Sequence, residues 1–200
     1  MKTIAFFYIL SAEEQQNFPA EKFSNDDILN YLLDNQILLQ IDWKGESYLN
    51  EIGNFLQDRT IAFGSEASMD FTPAYKMANE QAVTPGDFVP ALLKASNEEL
   101  KNKSFQIVLL DLGSDSYYVA VIEKKNSKQI KKVSDSFWNF RLWGSQTGEV
   151  LYTVYCSCGS MNVWQLKIGE LLTDDTCEEC GKVIFDNEGN SKFKVSKDYI

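Results

Sequence analysis

All four cysteines of the chain fall in one stretch, CSCGSMNVWQLKIGELLTDDTCEECG (156–181), as Cys156, Cys158, Cys177 and Cys180. The spacing is C-x-C, 18 intervening residues, then C-x-x-C. Four thiolates on two short loops suit a tetrahedral zinc site, and a set with no open position serves structure rather than catalysis. Gly159 and Gly181 follow the second cysteine of each pair. Glycine tolerates positive φ, which lets backbone amides turn toward the sulfurs and disperse their charge. Two disulfides or an iron centre are the competing readings of the same residues. A reducing compartment disfavours the first, and the second would colour the protein.

Histidine is absent from the chain. That excludes Ser-His-Asp and Cys-His catalysis and any histidine-ligated zinc hydrolase. Acid–base chemistry would fall to Asp, Glu, Lys or Tyr. No pair of carboxylates and no Lys–Tyr arrangement stands out among them, so no catalytic residue is assigned and a non-enzyme is expected.

Residues 150–198 resemble a zinc ribbon, with VLYTVYC, NVWQLKIG and KVIFDNEG…KFKVS as strands and two knuckles at hairpin tips. The first knuckle is one residue tighter than the commoner C-x-x-C. The resemblance implies a fold and four ligands, with no activity attached. About fifty residues bury too little surface to be secure alone. Zinc in a four-cysteine site supplies an apparent 10–16 kcal/mol (order of magnitude), so a structural Zn2+ that fastens the tail is the expectation. The alternative is a nucleic-acid contact through Lys167, Lys182, Lys192, Lys194 and Lys197, with Trp164 stacking on a base. Asp174, Asp175, Glu178 and Glu179 crowd the second knuckle with opposing charge.

Three further motifs precede this segment. IVLLDLGSDSYYVAVIEK (107–124) resembles the phosphate-binding hairpin of the actin and heat-shock ATPases, with Asp111 and Gly113 at its turn. Those proteins need two lobes and far more chain. A tight turn explains it better, with Gly113 and Ser114 bending and Asp111 and Asp115 bonding turn amides. KKNSKQIKK (124–132), with five lysines, reads as a solvated hairpin loop. FWNFRLW (137–143) alternates Phe137, Asn139 and Arg141 with Trp138, Phe140 and Leu142, and core packing is expected of it.

The elements that hold these motifs follow from periodicity. Thr3–Leu10 reads as a first buried strand, better than as a signal peptide. Ser24 and Asp27 form a capping box before a helix with Ile28, Tyr31 and Leu32 on one face. ILLQIDW (37–43) reads as a strand, ESYLNEIGNFLQ (46–57) as a helix including Leu49, Ile52, Phe55 and Leu56, and TIAFG (60–64) as a third strand. Residues 65–90, with three prolines, read as a long connection with a helical turn or two. ALLKASNEELKN (91–102) reads as a helix before the 107–124 hairpin. A break at Gly144–Gly148 sets the boundary. The expectation is an α+β fold: a mixed or antiparallel sheet with packed helices in an α+β domain, 1–148, and a small C-terminal zinc-ribbon domain, 149–200.

The net charge is −10 and uneven: residues 1–120 carry 18 acidic and 8 basic side chains. This disfavours DNA and anionic membranes and would steer a basic partner. No stretch approaches the roughly 20 apolar residues of a membrane span. The first part loosely resembles bacterial immunity proteins that neutralise toxins. A cytoplasmic binding protein with a protein partner, such as a basic toxin, is therefore expected.

Overall fold

A computed structural model of the protein describes residues 5–19, 24–66, 68–82, 86–144, 149–167 and 169–199. Two units are present, Met1–Trp143 and Gly144–Ile200. The domain boundary expected after residue 148 and most of the Gly144–Gly148 break lie outside the described residues.

Over its described residues, 5–10, the opening apolar run is not a strand, and Thr3 and Ile4 lie outside the described residues. Ala5–Ile9 form a 3-10 helix that buries Phe6 and Ile9, three residues apart on one edge. A short continuous apolar run reads equally as strand or buried helix, and here the next residues decide. Ser11 starts α1 (Ala12–Asn17) with a capping box that the sequence announces as S-x-x-E. The Glu14 carboxylate also accepts from Arg59 Nη2 at 2.8 Å, and Arg59 Nη2 donates to the Ile9 carbonyl at 2.8 Å. One nearly buried guanidinium thereby ties the N-terminal segment to a helix some 45 residues away.

The helix α2 (Asn25–Asp34) begins at the expected Ser24/Asp27 capping box and buries Ile28 and Leu32. The strand β1 (Leu39–Ile41) is shorter than the run that contains it. The helix α3 (Glu51–Ala62) starts after Leu49, which is exposed, and runs into the segment 60–64 expected as a third strand, ending there. Its end is a Schellman motif: Ser65 N–H donates to Thr60 O (3.0 Å) and Gly64 N–H to Ile61 O (2.8 Å), with Gly64 at φ 89°.

Two more helices replace the long connection. In α4 (Thr72–Gln81) Pro73 occupies the first turn, where its missing N–H is no loss. The helix α5 (Phe88–Asn102) likewise takes Pro90 in its first turn and so begins before residue 91. Then come β2 (Phe105–Leu110), β3 (Tyr117–Glu123), α6 (Ser127–Val133) and β4 (Phe140–Leu142). The lysine-rich loop is thus largely helical: Ile130 is fully buried, and Lys131 and Lys132 lie in the last turn, where they complement the helix dipole.

The first sheet runs β1-β3-β2-β4, and every pairing is antiparallel. Both faces are buried. Val108, Leu110, Ala120 and Ile122 face the 3-10 helix, α2, Ile130, Trp138 and Phe140. Phe105, Ile107, Val119 and Val121 face α3, α4 and α5. Trp138 and Phe140 enter the core as expected, the Trp138 ring tilted against Phe6 with centroids 4.9 Å apart and its indole N–H donating to Asn25.

The N-terminus of α3 is sealed by side chains from elsewhere. Glu46 Oε1 accepts the Ile52 amide at 2.7 Å, and the Tyr75 hydroxyl accepts the Gly53 amide at 3.0 Å while donating to Glu46. A Cβ at Gly53 would lie 3.0 Å from the Tyr75 ring, so glycine in this first turn makes room for the phenol.

Two outcomes follow. Gly53→Ala raises helix propensity by about 1 kcal/mol but displaces a ring pinned by two hydrogen bonds. We expect a net loss of about 1–3 kcal/mol in urea denaturation. Glu14→Ala strands Arg59 and costs about 3 kcal/mol at neutral pH. Burial alone would raise the Glu14 pKa, but the bonds from Arg59 and the Ser11 amide and the Arg59 charge hold it below its ordinary 4.5. A depressed folded-state pKa gives stability above the unfolded value that is lost as pH falls through the folded one. The difference between wild type and Glu14→Ala should therefore shrink as pH is lowered below 4.5; an unchanged difference counts against the pair.

Candidate metal centre

The second unit is a three-stranded antiparallel sheet, β6-β5-β7, of β5 (Glu149–Tyr155), β6 (Met161–Lys167) and β7 (Val195–Tyr199). The first knuckle closes the β5–β6 hairpin. Cys156 N–H donates to Ser160 O at 2.8 Å and Gly159 N–H to Cys156 O at 2.9 Å. The second is held by Cys177 N–H to Lys182 O and Gly181 N–H to Cys177 O, both 2.8 Å, and by one bridge pair, Thr176 with Val183. The strand expected over KVIFDNEG is reduced to that bridge. From Asp186 the chain turns instead, its carboxylate accepting the Asn190 and Glu188 amides at 2.8 and 2.9 Å. Gly159 (φ 94°) and Gly181 (φ 70°) are left-handed with open space around them, so conformation rather than crowding calls for glycine there.

The two knuckles bring all four sulfurs together, each within 4.8 Å of the others. Cys156 Sγ lies 3.6 Å from Cys180 Sγ, and Cys158 Sγ lies 3.7 Å from Cys177 Sγ. Zinc–sulfur bonds of about 2.3 Å at the corners of a tetrahedron place sulfurs about 3.8 Å apart, so the cluster fits a metal of that kind. A disulfide needs about 2.05 Å, and all four thiols are free, which sets the disulfide reading aside.

Backbone amides stabilise two of the sulfurs, those of Cys156 and Cys177, as thiolates. The Cys180 amide, then that of Glu179, draws the Cys177 thiol down to about 6 against the opposition of burial. The Cys158 amide lowers Cys156. The Ser160 amide pulls Cys158 down too, but burial and hydrogen bonds with Cys180, Cys156 and Cys177 outweigh it and raise that thiol to about 12. Four crowded thiols without a cation share protons in this way, and a bound divalent metal displaces them.

Asn162 escapes a reading that looks only for ligands. It lies on the inward face of β6, between outward Met161 and Val163, in line with Trp164 and Leu166. Its amide nitrogen is 3.7 Å from Cys177 Sγ, its oxygen accepts the Glu178 amide at 3.2 Å, and it is 4% exposed. A polar residue at an inward strand position is the signal that could have found it. The side chains proposed for nucleic acid are otherwise occupied in part. Trp164 packs edge-on to Phe185 at 5.4 Å, Lys182 donates to Ser157, and Lys197 sits over the Tyr152 ring at 4.9 Å. Lys167, Lys192 and Lys194 are exposed. In the first unit, Asp111 accepts the Gly113 amide at 3.1 Å, as a tight turn requires, and pairs with Arg141 at 2.6 Å.

A family model described as a domain of unknown function, DUF6630, matches residues 6–141. The chain belongs to the DUF6630 family. The DUF6630 match covers the helix-covered sheet and ends before the first of the four cysteines. No curated protein and no solved structure matches the chain. Among the described residues, no helix is long and apolar enough to cross a membrane.

Asn162→Ala should weaken metal binding by roughly 10–100-fold, since a group that orients a ligand sulfur contributes on that scale. Competition with a chromogenic chelator measures it; unchanged affinity in a folded variant would remove Asn162 from the site.

Proposed function

We propose that this DUF6630 protein is a non-enzymatic binding protein whose C-terminal unit is a zinc ribbon fastened by one structural Zn2+. The observation that carries the reading is the set of four free sulfurs at tetrahedral spacing in a chain without histidine. Such a set closes the metal's coordination and leaves no position for substrate or water. Cys156 and Cys177 are two of the six residues in that unit's buried hydrophobic cluster among the described residues, which is the composition of a fold that depends on its metal. Four cysteines committed to a zinc ion rather than to disulfides would suit a reducing, cytoplasmic setting. The partner surface belongs to the DUF6630 domain. Its acidic excess favours a basic protein, and a toxin neutralised by this chain as an immunity protein is the specific form of that reading.

Metal analysis of the purified protein should find one zinc per chain. A strong chelator should abolish the near-ultraviolet signal of Trp164 and Phe185 and leave the first sheet folded. Zinc-free protein with an ordered second unit would sink the structural role. The partner reading is tested by co-purification with the product of an adjacent gene at low ionic strength. Retention that fades with added salt is expected, and no retention removes the partner while leaving the zinc site standing.

A further inference from the structure

The DUF6630 domain carries an open cleft of about 420 Å³ between α3 and the start of α4. Asn50, Gly53, Asn54 and Gln57 form one wall, and Ser68, Met69, Phe71, Thr72 and Tyr75 the other. The volume lies in the range of small-molecule sites, about 300–1,000 Å³. We propose that this cleft binds a neutral, polyhydroxylated ligand of the sugar class.

The charge of the lining comes first. In a chain with 48 charged side chains, none of Asp, Glu, Lys or Arg lines it among the described residues. Tyr75 is the one titratable lining group, and burial, with the Glu46 hydrogen bond, raises its pKa and keeps it neutral. The glutamates nearby in sequence are committed: Glu46 to Tyr75 and the Ile52 amide, Glu51 to the Ser47 amide. The helix N-terminus is therefore already capped, so the cleft offers an anion neither a side-chain cation nor those amides. Asp70, between Met69 and Phe71, is outside the lining and accepts the Thr72 amide at 2.9 Å, so a cation would find no carboxylate among the described lining residues. An uncharged ligand is what remains.

Hydrogen-bonding capacity comes second. Asn50, Asn54 and Gln57 are spaced i, i+4 and i+7, which places them on one helix face along the cleft. The Asn50 side chain makes no capping bond although it occupies the N-cap, where asparagine usually makes one. The Asn54 carboxamide is likewise without a partner among the described residues. Gln57 Oε1 accepts the Met69 amide, which fixes that side chain across the cleft and leaves its NH2 group to donate. Each carboxamide both donates and accepts, as does the Ser68 hydroxyl, and this dual character matches a row of sugar hydroxyls. Met69, Phe71 and the Tyr75 ring supply apolar surface for the C–H face of such a ring. This inference is independent of the zinc site and of the basic partner.

The test uses the full zinc-loaded chain, isotopically labelled, titrated with glucose, galactose, mannose, N-acetylglucosamine and their common disaccharides, and separately with inorganic phosphate and with adenosine monophosphate. Amide shifts at residues 50–57 and 68–75 with at least one sugar, and none with phosphate or the nucleotide, are expected. Asn50→Gly/Asn54→Ala, both exposed positions and with glycine suited to the positive φ of residue 50, should weaken that sugar by roughly tenfold or more with the thermal midpoint little changed. No shift there with any sugar, equal shifts with phosphate or the nucleotide, or unaltered affinity in the double variant overturns the proposal.

Discussion

The hairpin of β2 and β3 sets the terms for the first unit. Its register, Phe105 opposite Glu123 through Leu110 opposite Tyr118, places apolar side chains on both faces. A sheet buried on one side only would alternate, and this one does not, so two separate covers are required. The 3-10 helix, α2, α6 and the Trp138 segment provide one cover, and α3, α4 and α5 provide the other. Helices contributing to both covers begin or end with devices that make their lengths definite: the Ser11 and Ser24 capping boxes, the Schellman turn at Gly64, and prolines in the first turns of α4 and α5.

Two polar clusters then join parts distant in sequence. Arg59 brings Glu14 and the Ile9 carbonyl together, and Tyr75 links Glu46 to the backbone of Gly53. Each replaces water for groups that would otherwise be buried and unsatisfied, so neither partner can be removed cheaply. The second cluster also ties up Glu46 beside the neighbouring cleft, and Glu51 is engaged by the Ser47 amide.

The second unit depends on a different constraint. Among the described residues its buried hydrophobic cluster is Val154, Cys156, Leu172, Cys177, Ile184 and Phe185, too few residues to offset the entropy of fixing about fifty. Two of those residues are metal-ligand candidates, and Asn162 joins the inward face of the sheet to the second knuckle. The amides aimed at Cys156 and Cys177 stabilise thiolates, so a cation and the local backbone act in the same direction.

Sequence alone determined whatever is encoded within a few residues. The four-cysteine spacing, the glycines that follow each pair, the Ser24 cap and the β2–β3 hairpin are all local, and each stands where its pattern placed it. The α+β composition with antiparallel pairing follows from those same local signals. What only the tertiary structure decided is how ambiguous apolar runs resolve. AFFYI becomes a 3-10 helix and TIAFG the end of α3, because packing on an already buried sheet selects between conformations that propensity leaves nearly equal. KKNSKQIKK becomes helical because Ile130 finds the core. Arg59 with Glu14, Tyr75 with Gly53, and Asn162 with Cys177 join residues 15 to 45 positions apart. Contacts over that span leave no periodic trace in a single sequence, since they depend on where whole elements dock.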